Sequence, residues 1–226
     1  MSSIEQLNLL DAMHKENPDG IVGFPSSLVI LAELGNEDFS SIEMANLLEK
    51  YWQPSQEDTL YAISLKGIDI LSPPVANILV ESILKLASKF KKPIVFKAVR
   101  NHVAKALHLA ALTHNPPSPL WIEEVDSQCR LMGNLPNRYA KLMTNLEEAG
   151  CLCSASSIAL QTTGAATKRT VNKLSVYLQE MVTLGLLGRV KENASTTPDR
   201  KRGWTYLYYR PDARSLLNVP LMAGEL

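Results

Sequence analysis

Residues 165–184 hold a single apolar stripe along their whole length and then stop at Leu184-Gly185-Leu186-Leu187-Gly188-Arg189. At 100° per residue, Val171, Leu174, Leu178, Met181 and Val182 fall on one side, so this helix needs a core on that side only. Two helical patterns precede it. Tyr139, Leu142, Met143 and Leu146 share a face before Gly150, and a shorter pattern runs over 154–161 into the polar turn Thr162-Thr163-Gly164. Residues 186–191 then read as a strand, and Trp204-Thr-Tyr-Leu-Tyr-Tyr209 as its partner across a polar loop. Three helices with a glycine-containing turn before the third, followed by a hairpin, restrict residues 134–212 to a small α+β unit.

The side of the third helix opposite its stripe presents Arg169, Asn172, Lys173 and Val176, with Thr167 and Lys168 at its start. These types suit a DNA major groove: Arg pairs with guanine, Asn with adenine, Lys with guanine or phosphate, and Val with the thymine methyl. The loop between the strands ends in Arg200-Lys201-Arg202, a basic tip able to reach phosphates or the minor groove. Residues 136–210 resemble the winged helix-turn-helix transcriptional regulators, in the broad MarR and ArsR sense. Thr170-Val171-Asn172 and the exit Gly185-Leu-Leu-Gly-Arg189 carry the likeness, at a spacing about one turn longer than usual. The resemblance implies binding of double-stranded DNA, as a homodimer reading two half-sites.

Formal charge is zero for the whole chain but not for its parts. Through Gly133 there are 11 basic and 16 acidic residues, and from Asn134 there are 12 and 7, so a −5 segment adjoins a +5 segment. A basic half beside an acidic one fits polyanion binding by the second half alone.

The first half alternates strands and helices. Ile4, Leu7, Leu10 and Met13 predict a short N-terminal helix within 1–19, ended by Asn17-Pro18-Asp19-Gly20. Strands are expected at 27–33, 59–65 and 93–96, with helices from the Ser40/Glu43 capping box to Trp52, from Ser72-Pro73-Pro74 to about Phe90, and over 100–112. The proline-dense Thr113-His-Asn-Pro-Pro-Ser-Pro119 reads as a linker, and 120–125 and 129–132 as two short strands that either complete the sheet or bridge the halves. Ile63-Ser-Leu-Lys-Gly-Ile-Asp-Ile-Leu-Ser72, Val75-Ala76-Asn77 and Lys92-Pro-Ile-Val-Phe96 resemble the STAS-like domains, relatives of the sulfate-transporter and anti-sigma-factor-antagonist fold. That resemblance implies a STAS-like domain over 20–133 that senses or binds a partner. The antagonists' phosphorylatable serine falls here at Pro74, so the family's kinase switch does not carry over. Ser72 is the remaining candidate for regulation, against its simpler role as a helix cap.

Enzymatic signals are missing. His102, His108 and His114 recur every six residues and share no helical face, and no phosphate loop, nucleophile elbow or HExxH motif occurs. Asp69 is expected to form a turn. The cysteines, Cys129, Cys151 and Cys153, are odd in number and lack companions for a zinc site. With no secretory leader and no apolar run long enough to cross a bilayer, a cytoplasmic protein is expected. The expectation is an α/β half, an α+β winged-helix half and a 213–226 tail, binding DNA without metal, cofactor or enzymatic activity. The alternative is a signalling adaptor whose winged helix binds protein.

Overall fold

The computed structural model describes residues 4–9, 11, 41–51, 60–115, 118–125, 128–149, 152–193 and 204–212. A five-stranded sheet takes β1 (Ile4–Asn8), β2 (Leu60–Ser64), β3 (Ile94–Val99), β4 (Leu120–Glu124) and β5 (Cys129–Met132) in that spatial order. β1 to β4 are parallel and β5 closes the edge antiparallel to β4. Around them lie α1 (Ser41–Tyr51), α2 (Pro73–Phe90) and α3 (Asn101–Thr113). The chain is thus a mixed α/β fold.

Sequential order across a parallel sheet has a consequence for packing. Right-handed crossovers that always step the same way lay their helices on one face and leave the other bare. Alternate residues of each strand report the two faces. Ile94 and Phe96 of β3, and Leu120 and Ile122 of β4, join a core with Met44, Leu48, Leu79, Ile83, Leu107 and Ala111 of the three helices. Val95 and Trp121, pointing the other way, join a second core. Both strands are therefore buried on both sides, as their continuous apolar runs require.

That second core belongs to the C-terminal unit: α4 (Asn137–Ala149), β6 (Cys153–Ser154), α5 (Ala155–Thr163), α6 (Lys168–Thr183), β7 (Gly188–Asn193) and β8 (Trp204–Tyr209). Tyr139, Leu142, Leu146, Ile158, Leu178, Met181, Val182, Leu186 and Tyr208 pack with Val95 and Trp121. The Trp121 indole Nε1 donates to the Leu186 carbonyl at 3.0 Å. β6, β8 and β7 form an antiparallel sheet in that order. α6 ends in a Schellman arrangement: Gly185 N–H donates to Val182 O (3.0 Å) and Leu186 N–H to Met181 O (2.9 Å), with Gly185 at φ +71°. A Cβ at Gly185 would lie 2.7 Å from that of Ala87 on α2, so the glycine is needed for its conformation and for the approach to α2.

Several expectations change. Residues 4–8 are a strand, not a helix, and helical geometry is described only at Leu9 and Asp11 beyond it. Five backbone pairings with β2 hold the segment, whereas so short a helix has little stability of its own. Of the two readings open for residues 120–125 and 129–132, the structure shows the first: β4 and β5 complete the sheet, so the proline-dense stretch falls in sequence between α3 and β4, two elements of the sheet half. Ser118 in that connection is buried, its hydroxyl 3.1 Å from His114 Nδ1. Ser72 occupies the N-cap position of α2, but its hydroxyl makes no capping bond. Pro74 at the second helical position removes one of the two amides such a cap would serve. The strand expected at 27–33 and the 213–226 tail lie outside the described residues.

Candidate nucleic-acid interface

The turn between α5 and α6 is built by local bonds. Gly164 closes α5 at φ +71°, its N–H bonded to Leu160 O. Thr167 then caps α6, its hydroxyl accepting from Thr170 N–H at 3.3 Å and lying 2.9 Å from the Thr170 hydroxyl. α6 docks through Leu178, Met181 and Val182, fully buried, while Val171 and Leu174 nearer its start are only partly covered. The first two turns of α6 are thus less deeply buried than its end, with Val171 and Leu174 packed on the margin of the core.

Thr167 at the N-cap, Lys168, Arg169, Asn172 and Lys173 on those two turns, and Val176 at the start of the third are all exposed. Val176 is 56% exposed, which leaves its isopropyl group available for an apolar contact. No carboxylate among the described residues pairs with Lys168, Arg169 or Lys173. Lys173 instead extends over the Tyr177 ring at 5.8 Å. The first turn of α6 contains no acidic residue, and Lys168 and Arg169 stand at the positive end of the helix dipole. That placement is unfavourable for cations in isolation and becomes favourable when an anion binds there.

Sequence reasoning passed over a neighbouring feature of the β7–β8 hairpin. Arg189 stacks on Tyr206 (4.3 Å) and Lys191 on Trp204 (4.9 Å), and the two rings meet edge to face at 5.0 Å. Arg189 also donates to Gln179 Oε1 of α6 at 3.1 Å, which ties this ladder to the helix. The signal was available: Arg189-Val-Lys191 and Trp204-Thr-Tyr206 each alternate, and period two places each pair on one face. Leu160 of α5, 57% exposed, is a second residue missed by periodicity alone. Arg200, Lys201 and Arg202 lie outside the described residues.

The remaining candidates disperse. Ser72 Oγ is buried without a hydrogen-bond partner. Asp69 meets Arg100 Nε at 2.7 Å and its carbonyl contacts His102 Nε2, so it secures a turn at the ends of the parallel strands. His108 Nδ1 accepts from Gly133 N–H at 3.0 Å and His114 meets Ser118, both structural roles. Among the described residues no three His, Cys, Asp or Glu side chains are grouped to hold a metal ion. Burial first, then the negative charges of Asp212 and Glu123, push the Cys129 thiol up to about 12. No described helix is long and apolar enough to cross a membrane. No family model, curated protein or solved structure matches the chain.

Proposed function

We propose that residues 136–210 are a winged helix-turn-helix that binds double-stranded DNA, and that the protein is a transcriptional regulator acting as a homodimer. The order of elements, helix, strand, helix, helix, strand, strand, with the short strand beside the last one, supports this reading. The observation that carries it is the start of α6: exposed cations without carboxylate partners among the described residues, on a helix anchored by its far end. Arg169, Asn172 and Val176 face base edges in this reading. Lys168 and Lys173 face phosphates, and Thr167 presents its end of the helix to the backbone. Arg200, Lys201 and Arg202 extend the contact from the hairpin. The sheet half, with its STAS-like resemblance, would receive a signal or a protein partner.

The test is fluorescence anisotropy of the full-length protein on random duplex DNA at two salt concentrations, beside the double variant Arg169→Ala, Lys173→Ala. Affinity should fall with salt and drop by about tenfold or more in the variant, with a shallower salt slope. Absence of binding at low salt would refute the reading and favour an adaptor that binds protein.

A further inference from the structure

A half-open cavity of about 370 Å³ lies where the start of α4, the end of α6 and the turn into β4 meet. Pro119, Pro136, Leu184, Leu186 and the Tyr139 ring give it a largely apolar wall. Its volume falls within the range of small-molecule sites, which typically combine an apolar lining with few polar groups. We propose that this cavity binds a small uncharged aromatic or alicyclic molecule bearing one hydrogen-bond acceptor.

The bonds already made around it select that chemistry. Arg138 Nη2 donates to the Tyr139 hydroxyl at 2.6 Å, and that hydroxyl donates to Glu180 Oε2 at 2.8 Å. Arg138 also lies 3.7 Å from Glu180, so the one cation and the one carboxylate at the wall balance each other. A charged guest would find no unmatched counter-charge and would lose its hydration. Thr183 donates its hydroxyl to the Gln179 carbonyl, and Gln179 Oε1 is occupied by Arg189. With its oxygen turned to Arg189, Gln179 has its amide N–H groups left to donate, which is where a single acceptor on the guest would be read. The site sits at the base of α6, away from the exposed start of that helix, so it is separate from the proposed DNA face.

The experiment titrates the full-length protein with the uncharged dye N-phenylnaphthylamine and follows its fluorescence. Its sulfonated analogue, anilinonaphthalene sulfonate, is the charged comparison. Saturable binding with one site per chain is expected, weaker for the sulfonate by about tenfold or more. Thr183→Phe places a ring in the cavity and should abolish dye binding at unchanged circular dichroism, whereas Thr183→Ser should retain it. Leu184→Phe is a second filling variant should the first fail to fold. Arg169→Ala with Lys173→Ala should bind the dye normally, so a failed DNA assay and a failed cavity are told apart. Non-saturable uptake, equal affinity for both dyes, or full binding to a folded filling variant would overturn the proposal.

Discussion

At the scale of single residues, burial sets the chemistry of several groups and gives the protein a defined alkaline limit. Burial is the first cause raising the phenols of Tyr139, Tyr208 and Tyr209 above their ordinary value of 10.0, with Arg189 opposing it at Tyr208. A phenol raised in the folded state contributes stability that is complete below the unfolded value and is lost as pH rises toward the folded one. Urea midpoints should therefore hold steady from neutrality to about pH 10 and fall above it. Tyr209→Phe, which removes the most deeply shielded of these groups, should flatten that fall; an unchanged alkaline slope would show that other groups set it. Cys129 follows the same logic. With its thiol pushed up to about 12, it should alkylate far more slowly at pH 8 in the native protein than in urea, as read by peptide mapping. Native labelling as fast as in urea would place that thiol in solvent. Among the exposed cations, Lys173 leans on Tyr177 while Arg169 has no aromatic or carboxylate partner among the described residues, so Arg169→Ala should cost more DNA affinity than Lys173→Ala.

At the scale of elements, two glycines close the C-terminal unit, and each fails differently on substitution. Gly185→Ala must hold a left-handed conformation and bring a methyl against Ala87, a combined cost of about 2–4 kcal/mol. Gly188→Ala drives a Cβ into the Tyr209 ring, and should cost about 1–3 kcal/mol as the hairpin shifts. Chemical denaturation of both variants measures this, and a loss below about 0.5 kcal/mol in either would mean that its neighbour moves freely. Both glycines sit in the exit motif that the sequence marks most plainly. The legible elements were those with long periodic stripes or local punctuation: α2 after its prolines, α4 before Gly150, α6 between Thr167 and Gly185. β1 was illegible because Ile4 and Leu7 fit a helix, and only pairing with β2, more than fifty residues away, makes the strand. The exposed face of α6 was readable by angle, since a stripe on one side defines the other. The Arg189–Tyr206 and Lys191–Trp204 stacks depend on hairpin register, which no window within one strand contains.

At the scale of the whole molecule, the halves differ in charge but share a core. The singly wound sheet has α1, α2 and α3 on one face, and Val95 and Trp121 on the other are covered by the helical unit. Trp121 is the centre of that contact: its ring is buried, its N–H is bonded to the exit of α6, and Arg210 approaches its face at 5.9 Å. Arg210 in turn bonds Met143 O, Glu147 and Asp212, which fastens the end of β8 to α4 beside the sheet. An interface of this kind couples unfolding, because separating the halves exposes indole and aliphatic surface on both and leaves a buried carbonyl unbonded. Calorimetry of the intact protein should accordingly give one transition whose calorimetric and van't Hoff enthalpies agree. Trp121→Ala should lower its stability by about 3–5 kcal/mol, and far-UV and near-UV signals should still be lost together. Two separated transitions in the intact protein, or a Trp121→Ala variant in which only one of two steps moves, would mean that each half folds by itself. In that case any signal received by the sheet would need a route to α6 other than this shared core.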